Sequence, residues 1–526
     1  MWGVIMQNDS FSRGGLTRRG LGGLAAGLAA STVLAPAAGW AQAVSSANLA
    51  MVGEPQSLDP MASTADLVGT IMQHVYEPLF TFDANWATQP MLAAALPTVS
   101  ADGKTYTIEL RKGVKLHNGR DLDSEDVVAS LKRWFDMTPR GKGLAKSLAS
   151  LTAKGPTTVE IVLNKVEPAL LAHLALPSGF AAIMAKESIA NPLTEFVGTG
   201  PYKFRERKPD QFVVLVKHEG YASRSEPASG YAGKREAKID ELRFIPVPNA
   251  NTRLEGVIAG QYQFSDQLPV ESFKKLSSAS AARAVLTMPF GFPYFPTNTK
   301  QGPMADLKVR QAFQMALDLE EVLMAGFGEP KFFATAAEHF PKGSPFFSEA
   351  GKDKYSKADA AGAKKLLAEA KYDGTPIRIL NSKQYDFHHR MALVMAEQMK
   401  AAGFKVQLDV VDWATLIQRR GDPALWDIYI THSAFLPEPM LSPPQLGEGA
   451  PGWWSSPAKE AALTAFNAEP DPAKRGALWG KVQQVIYDEV PYIRAGNFGA
   501  LSGASAKMTD FAAMPWPSFW NVGLSK

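Results

Sequence analysis

The chain has 526 residues, 46% of them hydrophobic, 20% charged and 10% aromatic. That length and composition describe a soluble globular protein of several domains, and exclude a disordered chain, a collagen-like repeat or a small disulfide scaffold. With 55 basic and 52 acidic residues the formal charge is only +3, so no strong field points to nucleic acid. Cysteine is absent, which removes disulfides, thiolate metal sites, cysteine nucleophiles and a lipidated N-terminal cysteine.

Residues 1–43 read as an export leader. The pair Arg18-Arg19 precedes a Gly/Ala/Leu tract from Gly20 to Ala35, then Pro36 and the small-x-small sequence Ala41-Gln42-Ala43. The tract is shorter than the ~20 apolar residues a bilayer requires. Paired arginines followed by weak hydrophobicity predict a twin-arginine signal with a mature start at Val44. Removing the leader takes away three arginines and one aspartate, leaving 52 basic and 51 acidic groups. The product is expected to be a free, nearly neutral soluble protein outside the cytoplasm.

Beyond the leader, strand and helix patterns alternate, which predicts a mixed α/β (α+β) fold. Tyr106, Ile108 and Leu110 alternate with polar neighbours as a half-buried strand, and Val114–Leu116 forms a second short one before the Asn118-Gly119 turn. Asp123 is placed to cap a helix whose third residue is Asp126, with Val127, Val128, Leu131, Trp134 and Phe135 at helical spacing. Met391, Val394, Met395 and Met399 mark one face of a helix that Gly403 stops, and Phe404, Val406, Leu408 and Val410 alternate as the next strand. Further helices are predicted over 307–323, 358–370 and 473–487. Pro/Gly-rich segments at 196–209, 288–303, 341–351, 436–457 and 512–520 suit crossovers and the walls of a cleft.

Catalytic signatures are missing. There is no HExxH, no Walker A loop, no complete GxGxxG and no GxSxG elbow, and the SxxK matches Ser272/Lys275 and Ser456/Lys459 are at chance frequency. Of the eight histidines only His388 and His389 are neighbours, and adjacent helical residues point about 100° apart, so they cannot share a metal. No metal site, no cofactor and no catalytic residue is expected, and binding suits such a chain better than catalysis.

Several segments nevertheless carry a specific resemblance. They are SLDP at residues 57–60, VYEPLF at 75–80, DGKTYTIELRKGVKLHNG at 102–119 running into SEDV at 124–127, and GTGPY at 198–202. LKVRQAF at 307–313, KKLLAEA at 364–370 and VPY at 490–492 complete the series. In this order they resemble the large periplasmic solute-binding proteins of ABC importers, in the family of dipeptide-, oligopeptide- and nickel-binding proteins. The resemblance implies a periplasmic-binding-protein-like, two-jaw fold with an extra small lobe. Lobe I would comprise 44–88, 197–295 and 488–526, lobe II 89–196 and lobe III 296–487, with lobes I and III closing by hinge motion. It also implies a periplasmic monomer, not lipid-anchored, that hands its ligand to an ABC permease at the inner membrane. A secreted hydrolase, or a sensory or chaperone-like binding protein on the same fold, are the alternatives.

Peptide-binding members hold the peptide amino group with an aspartate; aligned on Pro439, that position is Phe435 here. The carboxylate-binding arginine of dipeptide binders falls at Ser382, beside Lys383. An uncompensated buried ammonium is costly, so a peptide amino terminus is disfavoured and an anionic or neutral, partly aromatic or apolar small molecule is expected. Candidate ligand contacts are Ser63, Thr64, Ala65, Tyr294, Asn298, Lys383, His432 and Phe435.

Overall fold

Local signals account for most of the elements in the computed structural model, which describes residues 45–441, 446–447 and 449–525; the leader lies outside them. Asp123 caps the helix Ser124–Met137, and Asp126 returns the bond in a capping box. Its face of Val127, Leu131, Trp134 and Phe135 is buried. The helix Asp386–Ala401 buries Met391, Met395 and Met399, turns at Gly403 (φ 95°) and leads into the strand Val406–Val411.

Two expectations are corrected. Val114–Leu116 is not a strand: the Asn118-Gly119 turn follows so closely that only a single bridge, Lys115 to Asp121, can form. The stretch 307–323 is two helices, Leu307–Ala316 and Leu319–Phe327, because Asp318 turns its carboxylate onto the Glu320 and Glu321 amides and starts the chain afresh.

The main sheet has ten strands. Ser46–Met51 lies at its centre, parallel to both Glu241–Pro246 and Phe264–Leu268. Phe212–Lys217 and Tyr202–Lys208 extend one side. On the other side Asn497–Ser505 pairs with the fifteen-residue strand Ala282–Pro296, about 50 Å long at ~3.3 Å per residue. That strand ends beside Thr431–Ala434 and Tyr492–Arg494. A separate antiparallel sheet is built from Thr98–Val99, Thr105–Glu109, Thr158–Leu163 and Leu148–Ala153. A third, parallel sheet places Ile377–Ser382 between Val406–Val411 and Ile428–Tyr429.

Two hydrophobic cores dominate. The first runs from Leu49 and Phe80 through the antiparallel sheet, and reaches Phe466 and Trp479 of the helices Pro457–Ala468 and Pro472–Glu489. The second holds Phe295, Phe313, Met395 and Ile430. Alternation assigns the long strand to both: Phe292 and Tyr294 belong to the first core, Phe295 to the second.

The motifs that carried the family resemblance are stitches between segments. Arg133 pairs with Asp59 in a buried bidentate bridge. Glu77, fully buried, accepts from Thr199 (2.9 Å) and from Tyr221 (2.7 Å). Conversely, the Ser456/Lys459 match is a helix cap: the Ser456 hydroxyl accepts the Lys459 amide at 3.0 Å.

Candidate ligand-binding site

The end of the long strand, together with Thr431–Ala434 and Tyr492–Arg494, forms a short ribbon joining the two cores. Its register sets Tyr294 opposite both Thr431 and Arg494, and Phe292 opposite Ser433. Directly opposed antiparallel residues share a face. One face therefore carries Phe292, Tyr294, Tyr492 and Arg494, and the other carries His432, Phe295 and Ile493.

On the first face the Arg494 guanidinium lies 4.6 Å over the Phe292 ring. Tyr294 packs 6.0 Å from Tyr492, and His339 5.9 Å from Tyr492 and 5.7 Å from Trp479. Phe340 meets Trp479 (5.4 Å) and Phe435 (6.2 Å), and Phe435 in turn meets Trp86 (5.1 Å). Phe292, His339, Phe340, Phe435, Trp479 and Arg494 are among the residues lining a cavity of about 20 Å³, room for one water. Burial lowers the Arg494 pKa to about 10, and burial keeps His339 neutral, well below its usual range.

On the opposite face His432 Nδ1 lies 3.0 Å from His388 Nε2, and both rings pack against Tyr385, Phe387 and Trp413. Desolvation lowers His388 to about 2 and His432 to about 4, with His432 adding to the effect at His388. As expected, His388 and His389 diverge, His389 meeting Asn381 at 2.9 Å. Among the described residues no group of three or more histidine or carboxylate side chains is arranged to hold a metal.

His74 is likewise fully buried and lowered to about 3, chiefly by desolvation. These folded pKa values lie below the unfolded value near 6.5, so on acidification protons bind the unfolded chain first. The stability from neutral His74 and His388 is complete above about pH 6.5 and is lost as pH falls toward 4, at about 1 kcal/mol per group per pH unit. Asp266, raised to about 6 by burial, opposes this as a single group. The urea midpoint should fall between about pH 6.5 and pH 5; a flat midpoint would contradict neutral burial.

Of the predicted contacts, Phe435 lines the Arg494 chamber, Tyr294 packs behind it on Tyr492, and His432 lies on the opposite face of the ribbon against His388. Lys383 is exposed just past the strand Ile377–Ser382, close enough to bear on His389. Ser63, Thr64 and Ala65 form the turn before the helix Asp66–Met72; the Ser63 hydroxyl accepts the Ala65 amide and the Thr64 carbonyl accepts from Ser178. No hydrogen bond or ring contact joins those three to Phe435 or His432.

Asn298 is a correction. Its side-chain amide donates to the Pro423 and Trp426 carbonyls and its side-chain oxygen accepts from the Lys300 and Gln301 amides, so its side chain is fully engaged within the protein. Glu438, the carboxylate nearest Phe435 in sequence, is held by Arg475 in a bidentate pair at 2.8 and 2.9 Å. Sequence reasoning missed Arg494, Trp479 and His339. The available signal was an arginine inside the otherwise apolar strand pattern Tyr492-Ile493-Arg494-Ala495.

A roomier cavity of about 1040 Å³ lies between residues 165–173 and 440–468. Its walls include none of the predicted contacts, and its buried Lys459 already donates to the Trp454 carbonyl at 2.8 Å. The ribbon chamber differs in holding a buried guanidinium, Arg494.

Residues 87–450 match the model for bacterial extracellular solute-binding proteins, family 5. The chain is 29% identical over 496 residues to a probable peptide ABC transporter periplasmic-binding protein of Sinorhizobium fredii, covering 88% of this chain and 91% of that protein. It is 28% identical over 520 residues to the glutathione-binding protein GsiB of Pectobacterium atrosepticum, covering 94% and 95%. Among solved structures, HbpA2 from Haemophilus parasuis superposes with a TM-score of 0.78 at 22% identity, covering 91% of this chain and 100% of that one. NikA from Brucella suis, in complex with Fe(III)-EDTA, superposes at 0.74 and 22% identity, covering 91% and 100%.

The scaffold is the mixed α/β fold of periplasmic binding proteins. The chain belongs to family 5 of the bacterial extracellular solute-binding proteins.

Proposed function

We propose that this family 5 protein captures a small organic solute or peptide between two jaws and delivers it to an ABC permease at the inner membrane. The jaws are lobe I (44–88, 197–295, 488–526) and lobe III (296–487), with lobe II (89–196) beside them. Residues 1–43 act as a twin-arginine leader directing the protein to the periplasm, where it works as a monomer without a lipid anchor. The family match over 87–450 carries the reading. The names of the relatives, one for peptides and one for glutathione, agree with it.

The solute is bound at the ribbon, where Phe435 and Phe292 belong to walls drawn from both jaws. Contacts from both sides form together only when the jaws are shut, so the solute shifts the open–closed equilibrium by its differential affinity for the two states. An affinity of roughly −8 to −10 kcal/mol allows both scavenging and release. The chamber is nearly closed, so entry requires Phe435 and Phe340 to part from Trp86 and Trp479.

Native mass spectrometry of freshly purified protein should show a bound solute of a few hundred daltons that is lost on denaturation and restored on adding it back. Small-angle scattering should show a smaller radius with that solute than without it. Protein with no bound solute, and a scattering curve that no candidate peptide or organic acid alters, would refute capture by closure.

A further inference from the structure

We infer that the ribbon chamber is an anion site, in which Arg494 holds a carboxylate on a solute whose body is aromatic or branched apolar. This rests on the proposed binding role and adds the ligand's charge to it.

Other buried arginines among the described residues face a carboxylate or a larger set of carbonyls, although Arg235 Nη1 and Arg475 Nε have no hydrogen-bond partner. Arg133 faces Asp59, and Arg475 faces Glu438. Arg253 has no ion pair but donates to four carbonyl oxygens, and Arg310 to three. Arg494 has neither a facing carboxylate nor as many acceptors. It is 5% exposed, and its two hydrogen bonds run to neutral acceptors, the Glu338 carbonyl (2.9 Å) and the Asn497 side-chain oxygen (2.5 Å). Among the described residues it forms no ion pair; the Glu338 carboxylate acts on it only from a distance. A buried guanidinium without a counter-charge is costly, and in folded proteins such a charge is normally paired.

Two more donors share the same cavity. Trp479 Nε1 and Tyr492 Oη are buried, at 1% and 2% exposure, and have no hydrogen-bond partner. Buried polar groups are rarely left unpaired, so each needs an explanation. One acceptor-rich anion answers all three, because a carboxylate offers two oxygens and about four lone pairs, and a guanidinium binds it in a planar fork. The remaining walls, Phe292, Phe340 and Phe435, suit an apolar or aromatic body. An ammonium here would meet Arg494 as a like charge, so a peptide bound at this site presents its carboxyl end.

The test compares two probes of nearly equal shape, N-acetyl-L-phenylalanine and its primary amide, by calorimetric titration of the purified protein. The acid should bind at least about tenfold more tightly than the amide, the scale of one lost charge-assisted hydrogen bond. Arg494→Gln should erase that preference. Tyr492→Phe should weaken the acid several-fold without lowering thermal stability, since its hydroxyl bonds nothing in the protein, and it keeps the test valid if the arginine variant fails to fold. Equal affinities, a preference surviving Arg494→Gln, or no binding of either probe at millimolar concentration would each overturn the anion site. If the probes fail while native mass spectrometry still recovers a bound solute, the anion assignment falls and the capture function stands.

Discussion

Arg475→Ala is expected to lower the unfolding free energy by roughly 3–5 kcal/mol, the usual result of leaving one member of a buried pair uncompensated. Arg475 and Glu438 are each 4% exposed at the side chain and share two hydrogen bonds. The guanidinium also lies 4.3 Å over Phe466, so the substitution removes packing as well as charge. Without Arg475, the Glu438 carboxylate would keep only a 3.3 Å bond from the Met440 amide. Urea unfolding followed by tryptophan fluorescence measures the loss, and a change below about 1 kcal/mol would show that water reaches the pair. Arg475→Met combined with Glu438→Gln should recover a large part of the stability, because removing both charges removes the desolvation penalty. Glu438 lies three residues beyond Phe435, so the single variant should also loosen the wall of the ribbon chamber and weaken solute binding.

Gly198→Ala and Gly200→Ala should each destabilise the protein by roughly 2–3 kcal/mol through overpacking against backbone. A Cβ at Gly198 would stand 2.2 Å from the Val75 carbonyl oxygen, and one at Gly200 2.3 Å from that of His74. Neither segment can retreat cheaply. Gly200 and Tyr202 donate to the Val75 and His74 carbonyls, and Thr199 is bonded to buried Glu77. Gly143→Ala is the internal control: it lies in the helix Pro139–Ala145 with open space at its Cβ, so alanine should be neutral or stabilising by up to about 1 kcal/mol. Equal effects at positions 143 and 200 would contradict the close approach. The GTGPY motif thus reports a contact between the 74–77 and 198–202 segments, and its place in the resemblance is a matter of folding.

What could be read from the chain alone was local. The capping pair Asp123/Asp126, the alternation through Tyr106 and Ile108 and the methionine face before Gly403 involve residues within a few positions of each other, whose bonding follows from spacing. The family membership was legible for a similar reason, since its motifs record tight turns and buried stitches that recur in fixed order. Lys115 and Asp318 mark where local reading failed, because the turn at Asn118-Gly119 and the cap at Asp318 overrode the apolar pattern.

The chamber was of another kind. Phe435 was reached by alignment and Tyr294 through its place in a Pro-rich crossover, but Arg494, Trp479 and His339 have no mark of partnership in sequence. The bond from Arg494 to the Glu338 carbonyl spans 156 residues, and the register that places Tyr294 between Thr431 and Arg494 depends on three separate strands. Asn298 makes the same point: a polar residue in a promising crossover whose side chain is occupied by Lys300 and Gln301 next to it and by the Pro423 and Trp426 carbonyls, 125 and 128 residues away. Whether a buried charge is compensated depends on what every other segment brings within a few ångströms of it. Spacing along the chain carries no such information, so that question was decided by tertiary packing alone.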